Sequence, residues 1–503
     1  MTRTAWSMAI TLPLALLAGC AVGPDFKSPA APGTDTRVSV EPLPAATASA
    51  DVPGGEAQIF LAGTPVAARW WEQYRSPQLN ALVNEALKNS PSIASAQAAL
   101  RSARANARAR WSDQFPEVDA SFSATRQQVD LGAFGNPNGG TLIYNFFNAS
   151  VGVSYGLDIW GGTRRGVEAA AAAAEARQYE LVAAYQTLIA NVVASAVDMA
   201  EASYLIEGEN VLIADETRRL ELIRKQFDAG AVSRADVAVV AASLANEKVK
   251  LYGFQNQLTR ARTQLAVYLG RTPDAATASD IVLLDLKLPL QIPVSLPSEI
   301  VRQRPDLRAA EAGLHEAAAK IGVATANQFP QIALTASLGT QATTLSDLFK
   351  GNVWSLGGSI TQPLFRAGEL SALKKAAIAD YDKAEADYRL TVLNAFKNVA
   401  DTLDALQSNA SALAAYDDVA RASEISYNNA AKLHELGSGT LTEKVRLHAA
   451  YTTAKVGYAT TVATRLRDTA ALYMALGGTW DTAVKTDIPS PPPAIPGTVA
   501  AAN

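Results

Sequence analysis

Asp228, Arg234 and Asp236 gather around Gly230, and Glu435, Glu443 and Lys444 gather around Gly437. Of all the side chains in this sequence, these charges are the ones whose types and spacing could act on an ion. Carboxylates repeated around a symmetry axis select cations, and salt bridges to neighbouring Arg and Lys can hold a constriction shut. Asp236 and Glu443 also have a structural use, since Ser233-Arg234-Ala235-Asp236 and Thr440-Leu441-Thr442-Glu443 both read as capping boxes opening a helix. The small residues Gly230-Ala231-Val232 and Gly437-Ser438-Gly439 offer a second use for the same places, as docking points for a partner. No catalytic constellation accompanies them. The 3 histidines, His315, His434 and His448, have no cysteine neighbours, and a single Cys rules out a disulfide framework and leaves almost no room for a Cys/His zinc site. The 4 scattered methionines outline no soft-metal path. The expectation is a chain without enzyme chemistry, cofactor or metal.

The single cysteine has its own chemistry. Met1 to Cys20 reads as a secretory signal peptide: Arg3 near the start, an apolar run, then small residues. Its end, Leu17-Ala18-Gly19-Cys20, resembles a lipobox, the motif at which bacterial lipoproteins are diacylated on Cys and cleaved before it. An ordinary signal peptide that ends at a Cys is the alternative. Lipidation is favoured because no other Cys competes and because Ala21 to Pro53 is a Pro/Ala/Ser/Thr-rich stretch of tether composition. Several acyl chains anchor a protein firmly where one binds marginally.

The elements that must position these residues are long helices. In 503 residues only 7% are aromatic and 18% charged, with abundant Ala, which is poor material for several globular cores and good material for close-packed helices. The net charge of −4 leaves no basic footprint for nucleic acid. No Pro falls between Asn138 and Thr272 or between Leu364 and Ile488. Within those stretches Tyr185, Val192, Met199, Ile206, Ile213, Leu220 and Phe227 recur in a strict heptad, as do Val392, Val399, Leu406, Leu413, Ala420 and Tyr427. A heptad of this length predicts a coiled-coil seam. A helix from about Thr163 to Phe227 would be a rod of roughly 100 Å that cannot bury its seam alone.

The two heptads belong to an internal repeat. Pro91 to Pro116 aligns with Pro305 to Pro330 at an offset of 214, and Phe227-Asp228-Ala229-Gly230 faces His434-Glu435-Leu436-Gly437 at 207. The extra length in the first half points to the Gly/Asn-rich segment Asp130 to Asn145. Each half predicts the same order. A helix comes first (about Gln78–Gln114; about Ser298–Gln328), stopped by Phe-Pro. Two alternating segments follow, then a very long helix, a Gly turn and a return helix.

The alternating segments predict strands. Val118, Ala120, Phe122 and Ala124 alternate with Asp119, Ser121, Ser123 and Thr125. The same period of 2 runs through Phe147 to Leu157, Ile332 to Leu338 and Trp354 to Ile360. This suits transmembrane β-strands, apolar outward and polar inward. A half-buried soluble sheet alternates equally well. In lipid, four strands cannot stand alone, because every backbone polar group must be paired. Closure therefore needs further copies of the chain. Two would give an eight-stranded interior filled by side chains, and three would give twelve strands around an open lumen.

The ordered set of motifs resembles the TolC-like outer membrane efflux proteins, in particular the lipoprotein branch that includes OprM and NodT. The resembling residues are Cys20-Ala21-Val22-Gly23-Pro24-Asp25-Phe26; Trp70-Trp71-Glu72-Gln73-Tyr74 with Pro77, Leu79 and Leu82; and Leu157-Asp158-Ile159-Trp160-Gly161. Arg304-Pro305-Asp306 with Ala309 and Glu311, Gln328-Phe329-Pro330, and Gln362-Pro363-Leu364-Phe365 complete the set. The second reversal departs from the pattern, with Glu443-Lys444 where the first has Asp236-Val237.

The resemblance implies a fold that is mainly α with a membrane β-barrel portion. It implies a homotrimer whose twelve strands form one barrel and whose helices form a periplasmic α-barrel. It implies an equatorial region built from about Arg37–Arg75, Pro273–Pro297 and the segment after Gly478. It also implies an exit duct served by a periplasmic adaptor and an inner membrane pump of the resistance-nodulation-division type, anchored in outer membrane lipid at Cys20 and closed at the helix tips, where Asp228, Arg234, Asp236, Glu435, Glu443 and Lys444 are the candidates for a gate.

The expected organisation is a signal peptide over 1–19 and a lipidated tether with equatorial segment over 20–77. A first repeat covers 78–272, with β-hairpin 117–157 and tip 228–236, and an equatorial linker covers 273–297. A second repeat covers 298–478, with β-hairpin 331–362 and tip 435–443, and a tail covers 479–503. Two other functions fit the same residues: the duct of a type I protein secretion system, and a non-porous periplasmic coiled-coil lipoprotein.

Overall fold

The structure is a computed structural model and describes residues 21–30, 42–130, 140–275, 281–294 and 297–478. Cys20, the signal peptide 1–19, the tail 479–503 and the tip of the first predicted hairpin lie outside the described residues.

In chain order the elements are β1 (Ile59–Ala62), α1 (Pro77–Asn89), α2 (Pro91–Ser112), β2 (Glu117–Asp130), β3 (Thr141–Leu157), α3 (Gly162–Asp228) and α4 (Arg234–Tyr268). Then come β4 (Gln291–Val294), α5 (Pro297–Gln303), α6 (Pro305–Ala326), β5 (Gln331–Ala342), β6 (Asn352–Thr361), α7 (Glu369–Glu435) and α8 (Leu441–Ala475). Helices α3 and α7 both have 67 residues, α4 and α8 both 35, and α2 and α6 both 22.

The helix expected over Gln78–Gln114 is two helices, and so is its counterpart near Ser298–Gln328. The breaks fall at Ser90-Pro91 and Arg304-Pro305. A residue before Pro is pushed out of the α region, and Ser90 accordingly sits at φ −64, ψ 124.

The chain forms two compact units. The first gathers the described residues up to Pro29 with Ala98–Gln178 and Ala309–Arg389. It holds an antiparallel sheet in the order β2-β3-β5-β6. The second gathers the described residues of Ala30–Gln97, Tyr179–Arg308 and those from Leu390 onward. Its parallel pair β1–β4, with Ile59 opposite Gln291, was not legible from alternation, because strands of 4 residues carry too few positions to show a period.

The second unit owns the main apolar core. Val192, Met199, Val399, Leu406 and Leu413 of the two heptads are buried there, together with Val462, Leu466 and Leu472 of α8. The Trp70-Trp71-Gln73-Tyr74 motif anchors the segment before α1 to α8. Trp70 stacks on Tyr473 with centroids 5.1 Å apart, the Tyr74 hydroxyl donates to the Leu466 carbonyl at 2.8 Å, and the Tyr473 hydroxyl donates to Gln73 Oε1 at 2.8 Å. Arg465 is fully buried beside them and donates to the Gly54 carbonyl at 2.6 Å and to Gln58 Oε1 at 3.3 Å. Burial lowers its guanidinium to about 10, still far above neutral pH, so the buried charge persists and these carbonyl oxygens must solvate it. Arg304, just before the α6 proline, donates to the Ala475 carbonyl at 2.7 Å and pairs with Asp306 at 2.6 Å, placing a cation at the C-terminal end of α8.

Candidate functional site

The sheet of the first unit has two unlike faces. Register places Val118 opposite Val153, Val153 opposite Ala336, and Ala336 opposite Leu356. One row therefore carries apolar residues across all four strands, and the next, Ala120–Val151–Leu338–Trp354, repeats it; in the row beyond, the apolar pair Phe122–Ala149 continues to Thr340 and Asn352. Val118, Phe122, Val151, Leu338, Trp354 and Leu356 are exposed, Trp354 at 76% and Leu356 at 77%, and Ala149, Val153 and Ala336 are half-buried. The opposite face carries Ser, Thr, Asn and Gly. Ser121 and Ser150 hydroxyls meet at 3.0 Å, and those of Ser337 and Ser355 at 2.8 Å. Four hundred square ångströms is about the largest apolar patch a soluble surface tolerates, and an apolar face four strands wide suits hydrocarbon instead. Among the described residues, strands β2 and β6 each pair on one side only.

The strand-to-helix handover shows what several of the sequence motifs do chemically. The Asp158 carboxylate accepts from the Thr163 amide at 3.0 Å and the Arg164 amide at 2.9 Å, so it caps α3. The Trp160 indole stacks on Phe329 at 4.8 Å and donates to the Pro330 carbonyl at 2.8 Å. Gln362 donates to the Gln328 carbonyl at 3.2 Å. The residues before β3's helix, after α6 and after β6 thus lock together at one end of the sheet.

Residues 21–28, which composition reads as flexible tether, lie docked on α3 and α6. The Val22 amide donates to the Trp160 carbonyl at 2.9 Å, Arg165 pairs with Asp25 at 2.6 Å and Glu168 at 2.8 Å, and His315 bonds Glu168 at 2.8 Å while stacking on Phe26 at 4.5 Å. Hydrogen bonding from His315, reinforced by Arg165, lowers the Glu168 carboxyl. Composition could not show this, because the partners stand about 140 and 290 residues away along the chain.

In the second unit, each long helix ends in a tight reversal. At the first, Gly230 has φ 75, its amide donates to the Phe227 carbonyl at 2.8 Å, and the Ala231 amide donates to Gln226 at 2.8 Å. A positive φ is why Gly stands there. The capping box is complete: the Asp236 amide donates to Ser233 Oγ at 3.2 Å, and the Ser233 amide donates to Asp236 Oδ2 at 2.8 Å. The Ser233 hydrogen bonds hold the Asp236 carboxyl below its usual value. Leu220, Val240 and Leu244 form a small core that fastens α4 to α3 behind this reversal.

The second reversal is built differently. Gly437 has φ 75, and the Ser438 and Gly439 amides both donate to the Leu433 carbonyl. Thr440 Oγ1 accepts from the Glu443 amide at 3.2 Å, but the Glu443 carboxylate turns forward to Arg446, at 2.8 and 2.6 Å. Only half of the expected box forms. The Arg446 guanidinium lies three residues on and outcompetes a backbone amide for the carboxylate, and it lowers the Glu443 carboxyl. Asp228, Arg234 and Glu435 are exposed and Lys444 is half-buried, and none of them makes an ion pair among the described residues. The short sequence distance of Arg234 and Lys444 to the acids therefore does not become contact within one chain.

The histidines take packing roles. His448 of α8 bonds Asp215 of α3 and packs on Tyr427 of α7 at 4.6 Å, and His434 Nδ1 lies 3.2 Å from the Gly439 carbonyl. Among the described residues no cluster of three or more His, Cys, Asp or Glu could hold a metal ion.

The sequence profile of the outer membrane efflux protein family matches residues 82–271 and 296–478. The chain is 27% identical over 416 residues to the pyoverdine export outer membrane protein OpmQ of Pseudomonas putida, covering 82% of this chain and 88% of that protein. It is 29% identical over 494 residues to the probable efflux pump outer membrane protein TtgC of Pseudomonas putida, covering 95% and 96%. Among solved structures, the outer-membrane channel OprN superposes with a TM-score of 0.77 at 27% identity, over 92% of this chain and all of that one. The Campylobacter jejuni CmeC outer membrane channel shares the fold with a TM-score of 0.77 at 21% identity, over 91% of this chain and 95% of that one. The two-faced sheet, the paired long helices and a profile that matches both halves lead to one conclusion: the chain belongs to the outer membrane efflux protein family.

Proposed function

We propose that this chain is the exit duct of a tripartite efflux pump, passing small molecules from the periplasm to the exterior. The observation that carries the reading is the sheet, with one apolar face, one hydroxyl- and glycine-rich face, and an edge on each side that no strand pairs among the described residues. Such a sheet is viable in a bilayer only when its edges are closed by other copies. Three copies give twelve strands and leave water inside. The Ser, Thr and Gly rows would then line the lumen, small enough to pass a cargo and polar enough to keep it hydrated. The equal lengths of α3 and α7 and of α4 and α8 support two equivalent hairpins per copy around a common axis. Relatives named for efflux support a periplasmic adaptor and an inner membrane pump of the resistance-nodulation-division type as partners. The duct performs no bond chemistry on what it carries.

The tip residues Asp228, Arg234, Asp236, Glu435, Glu443 and Lys444 are proposed to surround the inner opening. Asp236 and Glu443 already have partners within the chain. Asp228, Glu435, Arg234 and Lys444 remain available to neighbouring copies. Acylation at Cys20 would place the start of the docked segment 21–28 at the membrane.

Native mass spectrometry in detergent, paired with planar-bilayer recording, tests this reading. A trimer that conducts ions is the expected result. A monomer or dimer, or a membrane that stays silent, removes it in favour of a structural rod. Adjacent genes for an ABC exporter, in place of an adaptor and pump, would move the duct to protein secretion.

A further inference from the structure

On α2, Arg101, Arg104, Arg108 and Trp111 follow at spacings of three and four, so they share one helix face. Phe115 continues the face beyond the helix, its ring 4.5 Å from that of Trp111. Arg104 donates to Gln178 at 3.2 Å, whereas Arg101 and Arg108 are exposed and make no ion pair among the described residues. Arg110 points elsewhere on the helix and pairs with Asp113 at 3.4 Å.

The direction of this face follows from the repeat. The offset of 214 sets Arg101 against His315 and Arg108 against Gly322. On α6 those positions are covered: Phe26 stacks on His315 at 4.5 Å, and a Cβ on Gly23 would stand 2.4 Å from the Gly322 Cα. The covering segment begins immediately after Cys20. The α6 face is thus the side along which the chain approaches its proposed anchor. The corresponding α2 face carries Arg101 and Arg108 exposed and Arg104 half-buried against Gln178 of α3, and among the described residues no segment like 21–28 lies over it.

We infer that anionic phospholipid headgroups of the inner leaflet cover the α2 face, with Arg101, Arg104 and Arg108 taking phosphates. The inference rests on the proposed placement of the sheet in the membrane. Helix α2 ends at Ser112 and β2 starts at Glu117, so Trp111 and Phe115 stand where the apolar sheet face begins. Trp favours that boundary. Arg108 is about one turn, roughly 5 Å, further from it, and Arg104 about two turns. Arginine stems are long enough to snorkel to a phosphate plane from there, and the planar guanidinium matches phosphate in a two-point contact. A soluble helix would gain nothing from like charges stacked on one face at i and i+3 or i+4, where they repel one another. A polyanionic surface removes that cost.

The test uses the full chain in detergent, offered equal amounts of phosphatidylglycerol and phosphatidylcholine, with bound lipid counted by native mass spectrometry. Wild type should retain phosphatidylglycerol preferentially. Arg108→Gln should cut the preference roughly fivefold. Arg101→Gln with Arg104→Gln and Arg108→Gln should abolish it, and the triple Lys variant should restore most of it. Arg110→Gln, on another face, should leave it unchanged. Equal retention of both lipids by wild type, or an undiminished preference in the triple Gln variant, overturns the assignment. If the triple Gln variant does not assemble, Arg108→Gln decides on the same readout. Conductance of the same preparations separates the two readings: channels without lipid preference sink the lipid site alone, while loss of both sinks the duct as well.

Discussion

Gly23 and Gly322 touch backbone to backbone: a Cβ added to Gly23 would stand 2.4 Å from the Gly322 Cα, and Gly23 has φ +102. Two glycines, about 300 residues apart in sequence, let the segment after the proposed anchor lie flat on α6. With Arg165 holding Asp25 and Phe26 stacked on His315, this contact turns a stretch of tether composition into a fixed strap.

Gly23→Ala should release that strap. The substitution meets both an unfavourable φ and a backbone collision, so residues 21–28 should become sensitive to limited proteolysis. The helices should unfold at an unchanged temperature. Wild-type resistance in the variant would mean that the ion pair and the stack suffice by themselves.

The two faces of β6 should respond oppositely to charge. Leu356→Arg puts a cation on the apolar face and should destabilise the inserted barrel by about 2–4 kcal/mol. Ser355→Arg, one residue earlier on the hydroxyl face, should leave insertion intact and alter single-channel conductance. Refolding into vesicles measures the first effect and bilayer recording the second. Equal tolerance at both positions would contradict the assignment of faces.

Glu209 of α3 should make the first hairpin sensitive to pH. Burial, and then its hydrogen bond to Glu247 of α4, push its carboxyl from 4.5 to about 7. The folded state therefore binds a proton more tightly than the unfolded one. The resulting stability is full below about pH 4.5 and is lost as pH rises through about 7. Glu209→Gln should flatten the pH dependence of unfolding across that window, as followed by circular dichroism. A slope unchanged by the substitution would assign it to another group.

At the tips, Asp228→Ala with Glu435→Ala should raise single-channel conductance and lower cation selectivity, because these carboxylates are left available to neighbouring copies. Ser233→Ala should instead cost about 0.5–2 kcal/mol in the start of α4, through loss of the cap. Amide exchange over Arg234–Val240 reads that effect. A double variant that conducts with wild-type ion preference would place the constriction elsewhere.

Cys20→Ser should abolish acylation, read by metabolic labelling with palmitate. Label that persists in the variant would exclude Cys20 as the acceptor.

Periodicity alone determined much of this molecule. Val192 and Met199 on α3, and Val399, Leu406 and Leu413 on α7, are spaced for one face of each helix, and the two faces of β2, β3, β5 and β6 follow from a period of 2. Gly230 and Gly437 mark reversals because only an achiral residue takes a positive φ without strain. These are local properties, written within a few residues of where they act. Contacts across the chain were decided only by the tertiary structure: Asp25 found Arg165 about 140 residues on, and His315 found Glu168 about 150 residues away. The parallel pair of β1 and β4, and the burial of Arg465 among backbone carbonyls, belong to the same class. Such pairings depend on which distant groups packing brings within about 3 Å, where desolvation and competing acceptors set the outcome. No spacing along the sequence encodes that competition.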